Sequence, residues 1–328
     1  MILTRTPFRM SFAGGGSDIS SFYDEDPGQV VSTAIDKYLY VSLSSKYDKK
    51  IRLSYSITEN VNNAEEINHP IVRESLKEFG ITNGIEITSI ADIPAGSGLG
   101  SSSAFTVGLL NALSHYLKLD LDKYSLAEKS CEIEINRCNE PIGKQDQFAS
   151  SFGGLNSFIF CSDGTVKVEP ILMDPEKLLM FQDSIIVFPI GDKRSASKIL
   201  EKQTRNLYTQ EKKLLMRKMV QLASELKIEL SNNSLDNIGA ILHENWLLKK
   251  QLQKEISNQP IDDAYQIAIK NGAQGGKLLG AGSSGFLIFY APPEKHASIK
   301  TSLKHLSSYD LRFSSNGSEL IYNDSNGI

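Results

Sequence analysis

The chain has 328 residues, 40% of them hydrophobic and 23% charged, with a formal net charge of −4. That length allows two ordinary domains or one large one, and the composition is that of a soluble globular protein. The slight acidic balance argues against nucleic acid or an anionic membrane as the main partner, while leaving room for a local basic pocket.

In chain order, "RMSFA", "QVVSTAI", "YLYVSLSS" and "IRLSYS" are rich in β-branched and aromatic residues between turn-type residues, and read as strands. "GIEITSIADIP" is a further strand that ends at Pro94. A glycine–serine loop follows, and then "SSAFTVGLLNALSHYL", whose apolar residues recur at helical spacing. "KYSLAEKSCEIEINRC" reads as a second helix, "NEPIGKQDQF" as a loop, and "GLNSFIF" and "TVKVEPI" as strands. The second half opens with the strand "SIIVFPI" and continues through a lysine-rich helical region at about 195–255. The helix "IDDAYQIAIKNG", the glycine segment "GGKLLGAGSSG", the strand "FLIFYA", a helix from about Pro293 and short terminal strands complete it. Strands and helices mix without steady βαβ alternation, which places the fold in the α+β class. We expect a domain boundary near 172/173, giving units 1–172 and 173–328.

The three cysteines, Cys131, Cys138 and Cys161, have neither zinc-ligand spacing nor the numbers of a disulfide framework. They suit a reducing, cytoplasmic setting. The N-terminal segment lacks a long apolar run, and no stretch reaches the ~18 apolar residues of a membrane span. The expectation is a protein neither secreted nor membrane-bound. The five histidines show no metal-ligand spacing.

"PAGSGLGSSSAF", residues 94–105, is not an interdomain linker, because it joins a buried-looking strand to an amphipathic helix. Strand, glycine turn and helix N-terminus together make an anion site: backbone N–H groups converge, the helix dipole favours negative charge, and glycines let a phosphate reach the main chain. No segment matches Walker A, and Ser101 stands where the protein-kinase loop needs glycine. "GAGSSG", 280–285, fits the dinucleotide fingerprint formally but leads into a strand rather than a helix.

Three segments then match one family in order. "PAGSGLGSSSA" resembles the phosphate loop of the GHMP small-molecule kinases, "TPFRMSFAGGGSD" (6–18) their N-terminal motif, and "KLLGAGSSG" (277–285) their C-terminal glycine motif. The resemblance implies a two-domain fold, ribosomal-protein S5-like first and ferredoxin-like second, with the active site between them. It implies ATP held by Pro94, Gly96, Ser97, Gly98, Leu99, Gly100, Ser101, Ser102 and Ser103. It also implies Mg²⁺ on Ser102 and Glu134, oxygen ligands that a hard cation prefers. Glu132, on another helical face, is the poorer ligand.

"GKQDQ" (143–147) resembles the family's catalytic-aspartate motif, so Asp146 would face the acceptor hydroxyl, as a base or as an orienting acceptor. Arg9 would lie beside it, with Lys144 assisting. The turn Gly14, Gly15, Gly16, Ser17 and Asp18, and Gly280 and Gly282, would border the acceptor sugar. Galactokinases carry Glu and His where this chain has Gly15 and Gly16, which counts against galactose. The pattern looks like the branch that contains the manno-heptose 7-phosphate 1-kinases and fucokinases. A substrate that already carries a phosphate needs a second anion site. "GDKRSASKIL" offers Lys193, Arg194, Ser195 and Ser197 at the start of a helix, and Arg73 is a weaker candidate. The expected partner is a small sugar phosphate; a kinase of an unphosphorylated sugar and a non-catalytic sugar sensor are the alternatives. Oligomeric state is left open.

Overall fold

The computed structural model describes residues 1–191 and 209–324. The first half is built on an eight-stranded sheet: β1 (Ile2–Ala13), β2 (Gly28–Ser45), β3 (Ile51–Ser54), β4 (Thr58–Val61), β5 (Ile85–Ala91), β6 (Leu155–Phe160), β7 (Val166–Pro170) and β11 (Glu319–Asn323). Its main path runs β11-β1-β2-β5-β3-β4. The segments "QVVSTAI" and "YLYVSLSS" form one long strand, β2. It pairs with β1 along one edge, with β5 over Leu39–Ser45 and with β6 over Gly28–Thr33. One strand can serve both neighbours because its length is shared between them.

The short helix α1 (Ser20–Tyr23) and α2 (Pro70–Glu78) belong to this half, and α2 packs on the next helix in the chain. The helix α3 (Ser101–Tyr116) is buried at every residue from Ser103 to Ser114. A helix that is apolar all round belongs inside, and here it packs against β1, β2, α4 (Lys123–Cys131) and α5 (Gln145–Phe152).

The predicted helix over 123–138 changes pitch: α4 ends at Cys131 and a π-helical turn covers Glu132–Arg137. Such insertions often mark functional sites. The predicted loop 139–148 also ends early, because α5 begins at Gln145. Pro141 and Gly143 dominate the local reading, yet Phe148 is fully buried and packs on Tyr124, Phe152 and Phe158. Burying one such ring contributes roughly 1.5–3 kcal/mol, enough to hold a short helix.

The second half comprises α6 (Pro175–Asp183), β8 (Ile185–Ile190), α7 (Gln210–Ser231), α8 (Ile238–Leu252), α9 (Gln259–Lys270), β9 (Gly275–Leu278), β10 (Gly285–Tyr290) and α10 (Pro293–Ser302). The strands lie in the order β8-β10-β9, and Tyr309 bridges antiparallel to Val187 on β8. Chain positions therefore run fourth, first, third, second, with helices between the first and second and between the third and fourth. This is the split βαβ arrangement of ferredoxin-like domains.

A continuous apolar core joins the halves. Phe12 of β1 meets Phe181 of α6 at 5.1 Å between ring centroids, and Trp246 and Tyr265 lie in the same core. The chain also crosses back, since β11 pairs with β1 of the first sheet although it falls within 173–328. The proposed boundary at 172/173 falls in the connection between β7 and α6.

Candidate active site

The loop after β5 runs from Pro94 to Gly100 and opens α3. Gly96, Gly98 and Gly100 all have positive φ, which gives the main chain a curvature that residues with a Cβ resist. Gly100 is the N-cap and has no side chain to cap with, so the first N–H groups of α3 have no side-chain partner. Ser97 has a buried Oγ without a hydrogen-bond partner among the described residues. Leu99 turns inward, fully buried, and its carbonyl accepts from Arg9 N at 3.1 Å.

A cavity of about 280 Å³ opens in front of this loop. Gly96, Gly98, Gly100 and Ser101–Ser103 line one wall, and Gly15, Gly16 and Asp18 another. Glu140–Gly143, Gln145 and Asp146 close a third side, and Met216, Lys249, Leu252 and Gly280 come from the second half. Gly14 and Ser17 shape the turn rather than line it. Gly14 N donates to Asn245 Oδ1 at 3.1 Å, and Ser17 Oγ donates to Gly14 O at 2.8 Å. Gly282 stands against Ile256, and Pro94 lies exposed at the start of its loop; neither lines the cavity.

Arg9 and Asp146 meet in a two-pronged ion pair: Nε donates to Oδ1 at 2.7 Å and Nη2 to Oδ2 at 2.8 Å. Arg9 is 5% exposed, and its remaining Nη1 donates to Gly98 O at 2.8 Å. The guanidinium thus ties the aspartate to the glycine loop, with geometry that a lysine could not reproduce. Asp18 is held by Gly16 N at 2.9 Å and by Gln145 N and Nε2 at 3.2 and 3.0 Å. Burial, and then the nearby Asp146, push its carboxyl above the usual aspartate range. Gly143 admits this contact, since a Cβ there would fall 2.0 Å from Asp18 Oδ2.

Glu134 lies fully buried in the π turn beneath α3. Ser102 Oγ donates to its Oε1 at 3.0 Å and Gln147 Nε2 to its Oε2 at 2.6 Å. Burial pushes its carboxyl up to about 7, against the pull of these hydrogen bonds. Glu132 is exposed. Among the described residues no group of three or more His, Cys, Asp or Glu could hold a metal ion, so a cation here would take few protein ligands, as Mg²⁺ with phosphates and water does.

Lys144 does not join the site. Its Nζ donates to Gly164 O at 2.6 Å and lies over the Tyr23 ring, while only its main chain touches Asp18. Lys144 precedes the first turn of α5, which directs its side chain away from Asp146. Lys193, Arg194, Ser195 and Ser197 lie outside the described residues. Arg73 is committed to Ile67 O at 2.9 Å and to Glu74.

Sequence reasoning missed Gln145 and Gln147, the holders of Asp18 and Glu134, although they flank Asp146 in the quoted motif. It also missed Lys249, one of two adjacent lysines in a lysine-rich helix, for which no local signal exists.

The family model for the N-terminal domain of GHMP kinases matches residues 67–154, and the model for their C-terminal domain matches residues 219–305. The chain belongs to the GHMP kinases. The D-glycero-alpha-D-manno-heptose 7-phosphate kinase of Campylobacter jejuni is 30% identical over 325 residues, covering 95% of this chain and 96% of the relative. The crystal structure of a D-glycero-D-manno-heptose 1-phosphate kinase from Bacteroides thetaiotaomicron superposes with a TM-score of 0.81 at 25% identity, covering 98% of this chain and all of that one. A bifunctional fucokinase/GDP-fucose pyrophosphorylase of Arabidopsis thaliana is 26% identical over 93% of this chain and 31% of the relative. The α+β, two-domain GHMP kinase fold expected from the motifs is the fold found, and the protein is a small-molecule kinase, a phosphotransferase acting on a hydroxyl. No helix among the described residues is long and apolar enough to cross a membrane.

Proposed function

We propose that this GHMP kinase transfers a phosphoryl group from ATP to the anomeric C1 hydroxyl of D-glycero-D-manno-heptose 7-phosphate, giving the 1,7-bisphosphate in the cytoplasm. The observation that carries the reading is the Arg9–Asp146 pair, set at the cavity between the glycine loop and Asp18. The likeness to the Campylobacter enzyme over nearly the whole of both chains supports the choice of sugar. The match to the fucokinase relative keeps a free sugar as the second reading.

The loop amides and the uncapped start of α3 fit the phosphates of ATP. Ser102 and Glu134 would hold Mg²⁺, which when bound neutralises phosphate charge. Asp146 meets the acceptor hydroxyl. With both its oxygens engaged by Arg9, it is better suited to orient that hydroxyl and take its proton late than to remove it beforehand. A loose phosphoryl-transfer transition state asks for little more. Asp18, fixed by Gly16 and Gln145, is placed to accept from a neighbouring sugar hydroxyl.

The test is ADP release with ATP and Mg²⁺ across manno-heptose 7-phosphate, free manno-heptose, fucose, galactose and mannose. Turnover confined to the phosphorylated heptose is expected; a preference for fucose would replace the reading with the second one. For the metal, Glu134→Gln is expected to raise the Mg²⁺ concentration needed for half-maximal rate by roughly tenfold or more, the loss of one charge-assisted contact of about 1.5–3 kcal/mol. An unchanged Mg²⁺ titration would remove Glu134 from the metal site.

A further inference from the structure

Two lysines of the second half, Lys249 at the cavity wall and Lys277 buried near it, lack the carboxylate ion pairs that buried lysines usually have. Lys249, on α8, lines the cavity and spends one of its three donors on Gly280 O at 2.7 Å. Lys277, on β9, is 1% exposed, and among the described residues its ammonium has neither a hydrogen-bond nor an ion-pair partner. Its charged neighbours are Lys249 and Arg9. Of the two carboxylates near this group, Asp146 is already forked by Arg9, and Asp18 already accepts from Gly16 and Gln145.

Three cationic side chains therefore converge where only one is neutralised. Burial and like charge lower the Lys249 ammonium to about 8 and take that of Lys277 well below the ordinary lysine range. An unpaired buried ammonium weakens a fold, whereas a methionine of similar length would not. Violations of this kind concentrate at functional sites. An incoming dianion would restore the balance.

We propose that Lys249 and Lys277 form an anion subsite for the phosphate that the acceptor sugar already carries. The inference rests on the reading of the protein as a sugar-phosphate kinase and supplies a distal-phosphate ligand, Lys249, within the cavity itself. The nucleotide's phosphates have donors of their own in the amides of the glycine loop and of α3, and Gly280, which accepts from Lys249, packs against Gly98 of that loop, so Lys249 stands between the loop and the acceptor side. Lys249 reaches the cavity from the second half, beside the apolar side chains of Leu252 and Met216, and interacts with Asp18, which faces the acceptor in that reading. A phosphate monoester suits an ammonium pair because it can accept from both at once.

The test compares Lys249→Met, Lys249→Arg and Lys277→Met with the unaltered enzyme, using manno-heptose 7-phosphate and ATP as varied substrates. Lys249→Met is expected to raise KM for the phosphorylated heptose by ~10- to 100-fold, the loss of one charge-assisted contact. KM for ATP should stay within about twofold, and Lys249→Arg should recover part of the loss. Lys277→Met should raise the thermal midpoint and still raise KM for the phosphorylated heptose, a combination that a merely structural lysine would not produce. A rise in KM for ATP instead would assign the lysines to the transferred phosphate and overturn the proposal. So would a stabilised Lys277→Met enzyme with unchanged KM values. If the unaltered enzyme turns over only free sugars, the proposed substrate fails along with the subsite. If it turns over the phosphorylated heptose and the lysine variants are indifferent, only the subsite fails.

Discussion

Replacing Asp146 with alanine is expected to lower kcat by about 10²- to 10⁴-fold, the range for a positioned acid–base group, while nucleotide binding persists. The carboxylate stands at the cavity, and the nucleotide-side donors on the loop and α3 do not depend on it. Alanine also strands Arg9, which is 5% exposed and keeps only Gly98 O. Losing one partner of a buried pair costs about 3–5 kcal/mol, so a fall in activity could be confused with unfolding. Asp146→Asn separates the two effects, since it keeps the shape and one acceptor oxygen for Arg9. It should remain folded by thermal melt, bind ATP by calorimetry and still lose most turnover. Near-normal kcat in the folded Asn variant would remove Asp146 from the chemistry.

Gly280→Val is expected to have the second large effect, and for a geometric reason. Gly280 has φ of +80°, and a Cβ there would lie 2.5 Å from Gly98 Cα. A left-handed conformation costs an L-residue roughly 1–2 kcal/mol, and overpacking adds typically 1–3 kcal/mol. The contact joins two glycine segments far apart in the chain, so the valine must push the glycine loop and the C-terminal turn apart. The same turn carries the carbonyl that accepts from Lys249. A loss of stability by denaturant titration is expected together with at least a tenfold rise in KM for ATP, the equivalent of about 1.4 kcal/mol. Unaltered KM for ATP would show that the two glycine segments do not depend on one another.

Much of the site was legible because its signals are local. Strand, Pro94, glycines and an apolar helix follow each other without interruption, and each has a short-range cause: alternation, positive φ and helical spacing. The loop, its serines and the start of α3 stand as that pattern predicts. The family resemblance selects Glu134, with Glu132 set aside as lying on another helical face, and the structure buries the first and exposes the second. Within the π turn Glu134 is directed toward Ser102 at the start of α3. The 123–138 helix and the 139–148 loop were read less well. In both places tertiary packing, of Glu134 against Ser102 and of Phe148 among aromatic rings, overrode local preference.

By itself, then, the order of residues determined the α+β class, most strands and helices, the glycine loop before α3 and the three motifs of the GHMP kinases. These depend on neighbours a few positions apart. Only the tertiary structure decided that Arg9 forks Asp146 from 137 positions away, that β11 returns to β1, that Lys144 turns to Gly164, and that Lys249 enters the cavity. Side-chain direction and cavity walls are set by which surfaces pack together, and that packing brings together residues whose separation in the chain carries no periodic signal.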